Sequence, residues 1–112
     1  MRTPKPELEH KLEARCVKLA RKEYGLLSRK LNGLGFRSWP DRAFFPACKK
    51  RRKPALPLPL LWVEFKRLGK EATDAQAELH ADLALRGQRV YVLDNLDAFK
   101  KLARAYVESL PA

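Results

Sequence analysis

A carboxylate and an amine stand two residues apart in Leu60-Leu61-Trp62-Val63-Glu64-Phe65-Lys66, a run that is otherwise apolar. In an extended strand, residues i and i+2 leave from the same face, so Glu64 and Lys66 project side by side while Phe65 points the other way. A charge taken out of water is costly unless it is paired or holds a metal. The plainer alternative is a strand that ends early and leaves both groups in solvent. Asp41 favours the chemical reading. It follows Trp39-Pro40, which hold the chain extended, and it opens the aromatic run Ala43-Phe44-Phe45. If 41–45 pairs antiparallel with 60–66, Asp41 comes to the Glu64 end of the longer strand. Two carboxylates beside a lysine form an oxygen site for a hard cation, because Mg²⁺ takes one or two carboxylates with waters and phosphate oxygens. Taken alone, Asp41 reads as a turn residue.

These residues need elements to hold them. Over 7–24, Leu8, Leu12, Cys16, Leu19 and Ala20 recur at three- and four-residue spacing and predict an amphipathic helix, which Gly25 stops. Its other faces carry Lys11, Arg15, Lys18, Arg21 and Lys22. Residues 26–31 form a short strand and 32–35 a glycine-rich turn. The run 43–45 is a second strand, and 60–66 a central third one. Thr73 with Gln76 makes a capping box for a helix to about Arg86, with Ala75, Leu79, Leu83 and either Ala72 or Leu85 turned inward. Residues 89–93 form a fourth strand. Asn95 then starts a last helix whose inner residues are Leu96, Phe99, Leu102, Ala103, Tyr106 and Val107. The order α-β-β-β-α-β-α predicts an α/β fold, a mixed sheet of about four strands flanked by helices.

Composition sets the outer limits. A chain of 112 residues forms one domain, 1–112, with 1–6 as a Pro-rich arm. With 24 Lys+Arg against 13 Asp+Glu the net charge is +11, so the natural partner is a polyanion. No apolar run is long enough to span a membrane, and no apolar segment follows the N-terminus as a secretory leader. Cys16 and Cys48 make no disulfide framework, which suits a reducing cytoplasm. Residues 46–59 are a hairpin connection carrying five consecutive bases, Lys49, Lys50, Arg51, Arg52 and Lys53, followed by Pro54, Pro57 and Pro59. Such a run is either a solvated loop or a contact to nucleic-acid phosphates.

Several motifs fall in a fixed order: Leu12-Glu13-Ala14-Arg15, Gly25 with Lys30, Trp39-Pro40-Asp41-Arg42, Val63-Glu64-Phe65-Lys66-Arg67, Gln76 with His80, and Gly87 with Val90-Tyr91-Val92 and Asp94. In this order they resemble the virus-type replication-repair nuclease (VRR-NUC) domain, free-standing phage and bacterial type, of the PD-(D/E)XK superfamily. The resemblance runs over about residues 7–107. It departs at Ser38, where the family usually has glycine, and in the longer connection 46–59.

The resemblance implies a restriction-endonuclease-like core and a metal-dependent endonuclease leaving 5′-phosphate and 3′-hydroxyl ends. It implies Mg²⁺ or Mn²⁺ on Asp41 and Glu64, with the backbone carbonyl of Phe65 and, through water, Glu13. Lys66 matches the lysine that orients the attacking water, and Gln76 a glutamine that reaches back to the site. Glu9, one helical turn before Glu13 on the same face, is the second choice for that role, and His80, four residues after Gln76, is either a support behind the ligands or an ordinary helix histidine. Lys30 matches a family lysine that either meets a phosphate or is merely exposed; with Arg42, Arg67 and, from its charge alone, the 49–53 run, it makes up the candidate DNA contacts. Free-standing members act as homodimers on four-way junctions, which implies a Holliday-junction resolvase in a bacterial or phage-infected cytoplasm, without organic cofactor. Trp62, Phe44, Phe45 and the last helix are the candidate dimer surface, with ordinary core as the alternative for each. A nuclease for flaps, a catalytically silent DNA-binding domain and a basic adaptor for an acidic protein are the competing functions.

Overall fold

The computed structural model describes residues 8–31, 38–47 and 59–110. The expected arm 1–6, the turn 32–35, the basic run 49–53 and Pro111 lie outside the described residues. The observed order is α1 (Glu9–Tyr24), β1 (Leu27–Lys30), β2 (Arg42–Phe45), β3 (Leu61–Phe65), α2 (Asp74–Leu85), β4 (Val90–Leu93) and α3 (Leu96–Ser109). The four strands lie side by side in chain order. The pairs β1–β2 and β2–β3 are antiparallel, and β3–β4 is parallel because α2 carries the chain back across the sheet. The sheet is therefore mixed and flanked by helices, as the element order predicts.

The core follows from the alternation of β3. Leu61, Val63 and Phe65 are buried on one face, where they join Phe44 of β2, Leu12, Cys16 and Ala20 of α1, and Phe99, Ala103 and Tyr106 of α3. Phe99 sits between Phe44 and Phe65, with ring centroids 5.4 and 6.2 Å away. Phe44 is wholly enclosed here, so it is core and not dimer surface. The other face of β3 carries Trp62 and Glu64. Trp62 donates its indole N–H to Gln88 at 2.9 Å and lies 6.5 Å from Trp39.

Local chemistry sets the element ends. Gly25 has φ +65°, and its N–H caps α1; a Cβ there would also press on Ala47 at 3.3 Å. The Thr73–Gln76 capping box forms at the start of α2, and Asn95 caps α3 through the Ala98 N–H. Two expectations about helix faces fail. Leu8 is exposed because it is the cap residue, outside the first turn. On α2 only Leu83 is buried, while Ala75 is exposed and Leu85 is 88% exposed. Leu79 and Leu83 do turn inward and Ala72 is half-buried, but Gln76 and His80 share that side, because this helix covers a charged residue of the sheet. No described helix is long and apolar enough to cross a membrane.

Candidate active site

The antiparallel register of β2 and β3 pairs Arg42 with Val63, which brings Asp41 level with Glu64. Asp41 sits just before β2, behind the buried Pro40, and is 7% exposed. Its Oδ2 accepts the backbone N–H of Phe65 at 2.6 Å. Glu64 is 2% exposed, the most enclosed charged residue described. Lys66 follows the last residue of β3, but its backbone N–H still bonds Leu93 at 2.8 Å, so its position is fixed by the sheet. Its ammonium lies 3.8 Å from Glu64 Oε2. The solvated alternative for Glu64 and Lys66 is therefore excluded: both side chains are largely enclosed and face each other.

Two residues of α2 complete the surroundings of Glu64. Gln76 donates from Nε2 to Glu64 Oε2 at 2.9 Å, while its Oε1 accepts the Thr73 N–H at 2.9 Å. One side chain thus caps the helix and positions the carboxylate. His80, one turn later, brings Nε2 to 3.7 Å from Glu64 Oε1. That separation is too long for a hydrogen bond. Both atoms are buried, and neither has a hydrogen-bond partner.

The helix α1 closes the other side. Glu13 Oε2 forms an ion pair with the Arg42 guanidinium at 3.1 Å, and Arg42 also reaches Ser28 Oγ at 3.4 Å. Glu9 Oε1 accepts the backbone N–H of Arg67 at 3.2 Å. These contacts reassign two side chains. Arg42, expected to meet DNA, is half-buried and engaged by Glu13, because β2 directs it onto α1 and not outward. Glu9 ties the end of β3 to α1. Lys30 and Arg67 are exposed, with Lys30 opposite Arg42 in the β1–β2 register.

The electrostatics are those of a carboxylate cluster short of positive charge. Burial raises the Asp41 carboxyl above its usual range; the Phe65 N–H opposes this, Glu13 and Glu9 add to it, and Lys66 offsets part. Burial and then Asp41 push Glu64 up to about 7, against the pull of Lys66. His80 is lowered by burial and by Lys66, which favours the neutral imidazole. Among the described residues no group of three or more His, Cys, Asp and Glu side chains is placed to hold a metal. Mg²⁺ does not require one, since one or two carboxylates suffice when waters and phosphate oxygens fill the remaining positions. The unpartnered buried Glu64 Oε1 fits that role: it is an oxygen donor already out of water with nothing to bind.

Sequence reasoning missed three features. Lys18, Arg21 and Lys22, with Ala14, Val17 and Arg42, line a groove of about 720 Å³. Their helical spacing is visible in the sequence, but the groove depends on how α1 sits against β2. The Phe65 N–H that holds Asp41 needs the strand register. Ser38 has φ +70°, in the left-handed region that favours glycine. No protein family, curated protein or solved structure compared with this chain matches it.

Proposed function

We propose that this chain is a metal-dependent endonuclease of the VRR-NUC kind, hydrolysing phosphodiester bonds in branched DNA, with a four-way junction as the preferred substrate. The observation that carries this reading is the convergence of Asp41, Glu64 and Lys66 in one enclosed cluster with Glu64 Oε1 unpartnered. Structural ion pairs in a core are usually complete, whereas this one is left with excess negative charge.

Asp41, Glu64 and the Phe65 carbonyl would hold the divalent ion, and Glu13 lies behind them, engaged by Arg42. When bound, such an ion polarises a phosphate oxygen and lowers the pKa of a coordinated water. The chain's own residues do the rest. Lys66, fixed by its backbone bond to β4, offers an ammonium to the negative charge that develops on the phosphate and orients the attacking water. Gln76 holds Glu64 so that Oε2 is occupied and Oε1 remains the open donor. Lys18, Arg21 and Lys22 line a basic groove that suits a phosphate backbone, and the exposed Lys30 adds positive charge, which supports affinity without base readout. A two-fold dimer would put one such site on each of two strands of a symmetric junction.

The test is cleavage of end-labelled four-way junction, flap and linear duplex DNA with Mg²⁺ or Mn²⁺. Paired cuts across the junction, lost in Asp41→Asn and Lys66→Ala with binding retained, support the reading. Cuts confined to flaps keep the nuclease and remove the resolvase. Tight binding without cleavage of any substrate favours a silent binding domain.

A further inference from the structure

We infer that His80 is a direct metal ligand, presenting Nε2 beside Glu64 Oε1 so that the divalent ion has a nitrogen donor as well as carboxylate oxygens. This rests on the metal-dependent reading above and pairs Glu64 with a residue of α2 as donors, waters and phosphate oxygens filling other positions.

Glu64 Oε1 and His80 Nε2 are the buried side-chain polar atoms without a hydrogen bond among the described residues, and they face each other at 3.7 Å. Buried polar atoms are rarely left so, and two of them 3.7 Å apart indicate a shared third party. A direct bond is excluded by the distance. Two ligands each about 2.1 Å from one ion are up to about 4.2 Å apart, so the gap is within the span of a single divalent cation. An imidazole nitrogen is a common ligand of divalent transition ions, and this one is enclosed beside an open carboxylate oxygen. Oε2 of the same carboxylate is held by Gln76 and neighbours Lys66, so Oε1 is the donor that the surroundings leave open. His80 follows Gln76 by one helical turn, so the capping box that sets Gln76 also sets the histidine.

An imidazole in the ligand set shifts preference from Mg²⁺ toward borderline ions such as Mn²⁺ and Co²⁺. The test uses the whole chain, free of DNA and of any histidine tag, with Mn²⁺ as the probe. Electron spin-echo modulation of bound Mn²⁺ reports a coordinated nitrogen directly. The chain has two histidines, and His10 is exposed on the first turn of α1, so His10→Gln serves as the control. The expected result is a nitrogen modulation in wild type and His10→Gln that is absent in His80→Gln. Mn²⁺ affinity should fall roughly 10- to 100-fold in His80→Gln, with a smaller change for Mg²⁺. Labelling the wild-type histidines with ¹⁵N should shift the modulation, which needs no variant to fold. Mn²⁺ bound with no nitrogen modulation overturns the role of His80 and leaves the carboxylate site standing. Failure of wild type to bind Mn²⁺ overturns both.

Discussion

The Asp41 carboxylate accepts the backbone N–H of Phe65 at 2.6 Å, so the acid before β2 is fastened to the main chain between Glu64 and Lys66. Asp41 and the Glu64-Phe65-Lys66 segment are thereby held together by one hydrogen bond and one strand register. The bond also explains why a second buried carboxylate is tolerated beside Glu64, because it favours the ionised form of Asp41 against the effect of burial.

This bond can be isolated by two substitutions that remove the same charge. Asp41→Asn can still present an oxygen to Phe65, and Asp41→Ala leaves a buried N–H without a partner. In urea unfolding at neutral pH, Asp41→Ala should be less stable than Asp41→Asn by about 1–3 kcal/mol. Both should lose cleavage. Equal stabilities would mean that the bond contributes nothing.

Enclosing Glu64 carries a stability penalty. Its carboxyl titrates at about 7 in the folded chain, against an ordinary value of 4.5, so between those pH values the folded state holds the extra proton. Stability from this group is therefore greatest below about 4.5 and falls as pH rises through 7, by on the order of 3 kcal/mol. Glu64→Gln removes the titration, and its amide can accept from Gln76 while donating to His80. Without metal, the variant should gain on wild type by about 2–3 kcal/mol between about pH 5 and pH 8. The lowered His80 acts in the opposite sense, losing stability as pH falls below its unfolded value, but it is common to both proteins. Melting at the two pH values checks this, and a constant difference between the proteins would contradict it.

Gln76 joins a helix cap to the site, so its two roles are expected to be coupled. Thr73→Ala breaks the cap alone and should cost about 0.5–2 kcal/mol. Gln76→Ala removes the cap and also the bond to Glu64 Oε2. A double-mutant cycle on stability should show the cap shared between the two, while metal affinity falls only when Gln76 is changed. If Thr73→Ala weakens metal binding as much, the effect runs through the whole helix and not through the Gln76 amide.

The element order is legible in the sequence because hydrophobic period and turn chemistry agree along most of the chain. Asp41, Glu64 and Lys66 are legible because an acid and an amine interrupt an apolar strand that pairs with a strand entered through Trp39-Pro40. The partners of those residues are not. Sequence alone suggests that Arg42 meets DNA, but β2 turns it onto Glu13. It places Leu79 and Leu83 correctly on the inward face of α2 but not Gln76 and His80, which turn toward the buried Glu64 beneath that helix while Ala75 stays exposed. Such choices depend on which face of the sheet each helix covers, and that is decided by the tertiary arrangement.

The same distinction applies to DNA affinity. Arg42 is engaged internally, so Arg42→Ala should leave the salt dependence of binding unchanged and impair cleavage through Glu13 and Asp41. Substitution of Lys18, Arg21 or Lys22 should reduce the slope of log K against log salt by about 0.9 for each phosphate no longer neutralised. A slope that changes for Arg42→Ala alone would return that residue to the DNA surface.

If Asp41, Glu64 and Lys66 form a hydrolytic site, Lys66→Met tests it most directly. The ammonium 3.8 Å from Glu64 is removed while the side-chain stem is kept. Single-turnover cleavage of a labelled four-way junction in Mn²⁺ should fall by roughly 100- to 1,000-fold, with junction affinity within a few-fold of wild type. Cleavage that persists at the wild-type rate in Lys66→Met would place the chemistry elsewhere and contradict a hydrolytic role for this cluster.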